Sequence, residues 1–158
     1  MGDQERKSGG AGNPDLANLF AFFNEIGIIN QLASSLFQKR LADGVTVAQF
    51  SVLNHLSRVQ DGQTPLALAS AFQVPKTTMT HTLAGLEKRG LIVMKPNQDD
   101  GRSKCVWLTQ AGSEFRSQSI SALAEDIKRL APQLDTDEMM QSIPMLAKVR
   151  TVLDEDRD

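Results

Sequence analysis

Apolar residues along the chain recur first at the spacing of helices, then briefly at that of strands, then at that of helices again. From Pro14 to Leu41 the positions Leu16, Leu19, Phe20, Phe23, Ile26, Leu32, Leu36 and Phe37 fall mostly three or four residues apart. That is a long amphipathic helix, ended by Asp43–Gly44. Its first half is apolar on more than one side, because Phe22, Ile28 and Ile29 lie off the main stripe. Such a helix needs two partners, its own domain and a second body such as another subunit. Thr46-Val-Ala-Gln49 has the form of a capping box and opens a helix with Phe50, Leu53, Leu56 and Val59 on one face, closed by Asp61–Gly62. Thr64–Pro65 supplies an N-cap and then proline at the first helical position, where a missing N–H costs nothing. The short helix that follows runs to about Phe72, with Leu68, Ala69 and Phe72 inward. Gln73–Val74 leaves room only for a tight corner before a helix from Pro75 to about Arg89, which Gly90 ends in the left-handed conformation. Helix, tight turn, helix is the helix-turn-helix pattern.

The period then changes. Leu91–Lys95 and Cys105–Leu108 are short β-rich runs around the turn formers PNQDDGRSK, which predicts a hairpin with a polar, partly basic tip. Thr109 caps a further helix with Phe115, Leu123, Ile127 and Leu130 as its apolar positions, running to Pro132. Asp135, with Glu138 three residues on, opens a last helix carrying Met139, Met140, Ile143, Leu146, Val149, Val152 and Leu153. Pro144 inside it predicts a kink or break. The pattern as a whole predicts a mainly α protein with a small β-hairpin (α+β). A winged helix-turn-helix lobe over residues 46–109 is framed by helices at 15–45 and 110–158 that would serve dimerisation, after a flexible polar tail over 1–14.

The helix beginning TTMTHTLAGLEKRG should be a poor one. Threonine is stiff at χ1, and a mid-helix glycine costs roughly 1 kcal/mol relative to alanine. On a helical wheel Met79, Leu83 and Leu86 stack toward a core, while Thr77, Thr80, His81, Ala84 and Lys88 share the opposite arc with Thr78 and Gly85 at one margin. An arc that is small and polar near the N-terminus and basic near the C-terminus suits a helix entering a major groove. Hydroxyls there can donate or accept at base edges, and threonine methyls can meet thymine methyls. Ala84 and Gly85 would let the backbone come close to DNA. The candidate DNA-contacting residues are therefore Lys76, Thr77, Thr78, Thr80, His81 and Lys88 on the helix, with Arg102 and Lys104 on the wing. The competing reading is a polar helix start on a solvated face. It loses weight because a second part of a DNA-reading device, the wing, follows in the right order.

Composition narrows the class. A chain of 158 residues can hold one domain with a real core, or a small domain with helical extensions. No apolar run reaches the roughly 18 residues of a membrane span, and the N-terminal residues lack the apolar stretch of a signal peptide, so a cytoplasmic protein without membrane contact is expected. The single cysteine, Cys105, cannot form an internal disulfide. A net charge of −2 argues against coating nucleic acid by bulk attraction, but charge is segregated. Lys76 to Lys104 holds six Lys/Arg against three Asp/Glu, a local +3, and Ala131 to Asp158 holds seven acids against three bases, a local −4.

The stretch LASAFQVPKTTMTHTLAGLEKRGLI, followed by DDGRSKCVWLTQAG, resembles the MarR family of bacterial transcription regulators. The residues that carry the resemblance are Leu68–Ala69, Leu86-Glu-Lys-Arg-Gly90-Leu-Ile, Asp100-x-Arg102, and Leu108–Thr109 with Gly112. It implies a homodimer with interleaved N- and C-terminal helices, whose two lobes bind double-stranded DNA at a pseudo-palindromic operator as a repressor. It further implies that Arg102 reaches the minor groove or its phosphates while Asp100 braces it, which agrees with the suitability of arginine for minor-groove potential. Many members of the family bind small aromatic or phenolic effectors in a crevice between the dimer helices and the lobe. The corresponding candidates here are Phe20, Phe23, Phe37 and His55, although phenylalanines at helical spacing are more often core than pocket. Three positions depart from the family pattern: Pro75 where a small polar cap is usual, Gln73 where glycine is common and a positive φ would be strained, and Pro144 in a helix usually continuous.

No catalytic or metal constellation is present. His55 and His81 lie on different helices, and no HExxH, CxxC or phosphate-cradling glycine loop occurs, so neither an enzyme nor a cofactor is expected. Cys105 reads as a quiet strand residue. The alternative class is a winged-helix protein-interaction module that does not bind DNA.

Overall fold

Capping chemistry sets where most of the elements begin. A computed structural model describes residues 14–156 and gives the order α1 (Pro14–Gln38), α2 (Val47–Arg58), α3 (Pro65–Ala71), α4 (Lys76–Lys88), β1 (Ile92–Pro96), β2 (Lys104–Leu108), α5 (Gln110–Leu130) and α6 (Thr136–Glu155). A 3-10 turn over Ala131–Gln133 joins the last two helices. The tail expected over 1–14 lies outside the described residues except for Pro14, which already opens α1. The Thr46 capping box closes in both directions, with the Gln49 N–H donating to Thr46 Oγ1 at 3.2 Å and the Thr46 N–H to Gln49 Oε1 at 3.1 Å. Thr64, Thr109 and Asp135 cap α3, α5 and α6 through their side chains; a cap of this kind contributes about 1 kcal/mol. α4 has no side-chain cap: Pro75 offers only its carbonyl, which accepts from the Met79 N–H.

Gln73 turns the corner between α3 and α4 at φ +52, in the left-handed region where glycine would sit without strain. β1 and β2 pair antiparallel from Ile92↔Leu108 to Pro96↔Lys104, so the first strand begins one residue later than its periodicity suggests. The sheet also gains an edge that the sequence did not announce. Gly62 N–H donates to Val106 O at 3.0 Å and Val106 N–H to Gln63 O at 2.8 Å, while Asp61 Oδ1 accepts from Leu108 N–H at 3.0 Å. Two residues are too few to show a period.

The core gathers Val52, Leu53 and Leu56 of α2, Leu68 of α3, Met79, Leu83 and Leu86 of α4, and Ile92 and Val106 of the wing. All of its buried members lie between Val45 and Val106. Three expectations need correction. Val59, placed inward by its spacing, is 70% exposed, because α2 ends at Arg58 and the chain turns away there. In α5 the deepest residues are Gly112, Ser119 and Asp126 rather than Ile127, which is exposed. α5 approaches the lobe most closely at its start, since a Cβ at Gly112 would strike the Leu91 carbonyl, while Phe115 one turn on packs against the core. Finally, α6 runs through Pro144 without a break. The ring removes one N–H and crowds the preceding turn, yet its fixed φ is itself helical.

Candidate nucleic-acid interface

Met79, Leu83 and Leu86 are at most 2% exposed and lock one side of α4 into the core. That leaves Lys76, Thr77, Thr78, Thr80, His81, Ala84 and Lys88 exposed on the rest of the helix. Two of the four threonines, Thr80 and Thr82, are accommodated by back-bonding. Thr80 Oγ1 donates to Lys76 O at 2.8 Å and Thr82 Oγ1 to Thr78 O at 3.0 Å. Each hydroxyl hydrogen is thus used within the helix, while its oxygen still carries lone pairs that can accept from a ligand.

The wing tip is a set of side-chain turns. Asn97 Oδ1 accepts from Asp99 N–H at 3.1 Å, and Asn97 Nδ2 donates to Ser103 Oγ at 3.0 Å. Asp100 Oδ1 accepts from the backbone N–H of Arg102 at 3.0 Å, and the Asp100 carbonyl accepts from Ser103 N–H at 2.9 Å. The carboxylate of Asp100 therefore shapes the loop through the main chain and does not pair with the Arg102 guanidinium. Arg102 and Lys104 are exposed, and among the described residues neither they nor Lys76 and Lys88 take part in an ion pair. Lower on the hairpin, Lys95 Nζ lies 5.7 Å from the centre of the Trp107 ring, and Trp107 packs on Gly62 so closely that a Cβ there would come within 2.6 Å of it.

Gly85 has a different reason from the one its sequence position suggested. It is half-buried beneath the side chain of Gln49, and a Cβ would collide with the Gln49 amide. The glycine admits α2 rather than DNA. Arg89 is the neighbouring residue that the spacing argument missed. Its Nη1 donates to Gly85 O at 3.0 Å, and its Nε and Nη2 reach the carbonyl of Asp43 at 3.4 and 3.3 Å. A basic residue one position before a left-handed glycine cap was the available signal.

The four effector candidates do not meet in one place. Phe37 packs edge-on against Phe50 with ring centroids 4.5 Å apart. His55 Nε2 lies 2.9 Å from Gln63 Oε1, and its ring stacks edge-on to Phe72 beside a cavity of about 540 Å³ lined also by Arg58 and Arg150. Phe23 lines a separate cavity of about 840 Å³ between α1 and α6, with Ile26, Ile29, Met145 and Leu146. Phe20 is 72% exposed. Cys105 is half-buried on β2, opposite Lys95. Among the described residues no cluster of three or more His, Cys, Asp or Glu could hold a metal ion, and no helix is long and apolar enough to cross a membrane.

Known proteins share this geometry. Residues 43–103, the helix-turn-helix and most of the wing, match the family model described as MarR family. The transcriptional activatory protein BadR of Rhodopseudomonas palustris is 31% identical over 100 residues, which are 62% of this chain and 57% of that protein. The match thus spans little more than half of that relative's length. Wild-type MarR of E. coli in its apo form has a TM-score of 0.69 at 28% identity, covering 80% of this chain and 94% of that one. A cysteine-to-serine mutant of the same E. coli protein, complexed with operator DNA, has a TM-score of 0.70 at 27% identity, covering 84% of this chain and 95% of that one. With the family model lying on the helix-turn-helix and wing, and solved members matching four-fifths of the chain, this protein is similar in sequence and in fold to the MarR family of winged-helix transcription regulators.

Proposed function

We propose that the chain binds double-stranded DNA sequence-specifically as a homodimer on a pseudo-palindromic operator. Residues 46–109 would form the reading lobe, with 15–45 and 110–158 as the dimerisation region. The observation that carries this reading is the pair of exposed basic surfaces on α4 and the wing tip, in no ion pair among the described residues and each backed by a fixed element. Lys76, Thr77, Thr78, Thr80, His81 and Lys88 approach the major groove, and Arg102 and Lys104 the minor groove or its phosphates, with Asp100 holding the loop that carries Arg102. The E. coli relative complexed with operator DNA supports the same use of the fold. Repression by occupying the operator is the proposed sign of control. One relative bears the name of an activator, so a promoter reporter with and without the protein decides the sign.

A small aromatic or phenolic effector that relieves binding completes the proposal. It is supported by the apolar cavity between α1 and α6, and it is tested by whether such compounds raise the melting temperature. The central test is selection of binding sites from random duplex DNA at near-physiological salt. An enriched inverted repeat with half-sites about one turn, roughly 10 bp, apart is the expected result. Folded, dimeric protein that enriches nothing would instead be a winged-helix docking module or a regulator locked off by a ligand or partner.

A further inference from the structure

Two side-chain clasps that the DNA-contact reading leaves unused lie at opposite ends of one short link. The first joins α5 to the residues after α1. Asp126 is buried, its side chain 4% exposed, and Arg40 grips it with two bonds: Nε to Oδ2 at 2.6 Å and Nη2 to Oδ1 at 2.9 Å. Arg129 adds a longer contact at 3.4 Å. The second clasp begins three residues further on. The carbonyls of Asp43 and Gly44, in a turn with φ +55 and +66, accept from the Arg89 guanidinium at 3.3 to 3.4 Å, and the same guanidinium holds the Gly85 carbonyl inside α4. Individually the longer bonds are weak, but a planar guanidinium makes them as one unit. The link between the clasps has little slack. Gln38 spans it, with Nε2 donating to Val45 O at 3.0 Å and Oε1 accepting from Val47 N–H at 2.9 Å. Gln49, fixed by its capping box, rests on Gly85 from the α2 side.

We infer that the link over residues 39–44 mechanically couples α5 to the reading helix α4, with Arg40, Asp126 and Arg89 as positioning residues for operator binding. This rests on the DNA-binding reading above. None of the three needs to touch DNA: α5 holds the link through a buried bidentate pair, and the link holds the C-terminal half of α4 through Arg89. A displacement of α5 relative to the lobe therefore reaches α4 without passing through the apolar core.

The test uses the full chain as wild type and as Asp126→Asn, Arg40→Lys and Arg89→Lys, with two readouts. One is amide hydrogen exchange across α4 in the protein without DNA. The other is affinity for the duplex selected by wild type and for a scrambled duplex of equal length. Coupling of this kind is expected to be worth roughly a tenfold change. Asp126→Asn should speed exchange at Thr82 to Lys88 while leaving α2 unchanged, and should weaken the selected duplex about tenfold with the scrambled one unaffected. The sign matters, because removing a negative charge should by bulk electrostatics tighten both duplexes. Arg89→Lys keeps the charge and loses the fork, so a mere phosphate contact would survive it and positioning would not. If Asp126→Asn does not fold, Arg40→Lys makes the same test. Unaltered α4 exchange in the folded variants, or equal changes on both duplexes, would overturn the inference. If wild type binds no duplex at all, the DNA-binding reading fails, and the exchange data alone decide whether the coupling exists.

Discussion

The lobe and the helices that frame it treat apolar residues in opposite ways. Between Val45 and Val106 the large side chains of α2, α3, α4 and the wing converge on a closed core, with Leu53, Leu68, Leu83 and Leu86 wholly buried. α1 and α6, of 25 and 20 residues, each carry seven large hydrophobic side chains that are exposed, and α6 buries none of its residues. Helices of this length owe most of their stability in proteins to packing of an apolar face, and contiguous apolar surface on this scale marks an interaction site. A single copy therefore completes the lobe but not its frame. The proposed homodimer is what would supply the missing half.

The largest effect should come from breaking the frame. Leu32→Glu, at a position 65% exposed in one chain, costs a monomer nothing but would bury a charge in the dimer. Sedimentation should show monomers, and operator affinity should fall by roughly 10²- to 10⁴-fold as two linked half-site contacts become one. Unchanged association would mean that α1 is covered by something other than a second copy. The lobe offers the opposite perturbation. Leu83→Ala, at a fully buried site, should cost about 2–5 kcal/mol in denaturant unfolding whatever the protein concentration. Ile29→Ala on α1 should instead lower stability in a way that depends on concentration, because its partner surface arrives by association. If both behave alike, the contrast between lobe and frame is wrong.

The same contrast explains what the sequence could reveal. The capping residues Thr46, Thr64, Thr109 and Asp135 and the left-handed Gly90 are local signals, and the elements they bound were legible. The α4 core stripe was legible because its three anchors meet neighbours from the same chain. Spacing failed where the partner was distant or unusually close. Val59 lies just past the end of α2, where the chain leaves the core, Ile127 lies on the exposed side of α5, and Gly85 and Gly112 are small because another element presses on them. Nothing in a one-dimensional pattern tells a glycine facing DNA from one facing Gln49. The Arg40–Asp126 pair spans 86 residues of sequence, beyond any periodicity.

On the reading surface, the expected effects are smaller and depend on salt. Arg102→Ala should weaken selected and scrambled duplexes alike and reduce the slope of log affinity against log salt by about 0.9, the signature of one lost phosphate contact. His81→Ala should instead lower preference for the selected sequence by about 1–3 kcal/mol with little change in slope. An Arg102 substitution that altered sequence preference but not the slope would place that side chain on base edges.

The smallest effect sharpens the boundary between the two regions and needs only a change of pH. The hydrogen bonds from Arg40 hold the Asp126 carboxyl below its ordinary value, against the opposing effect of burial. A carboxyl whose folded value is depressed contributes its stabilisation above the unfolded value of about 3.9. That contribution shrinks as pH falls below the unfolded value, and it is gone once pH has passed through the folded value. The melting-temperature gap between wild type and Asp126→Asn should therefore be constant near neutrality and close below about pH 4. Because the pair joins α5 to the link after α1 and lies outside the buried core, acid should speed hydrogen exchange in α5 before it reaches Leu53 or Leu83. Simultaneous loosening of α5 and the core would mean that the pair belongs to the lobe's own cooperative unit. The division between a self-sufficient lobe and a dependent frame would then have to be drawn beyond α5.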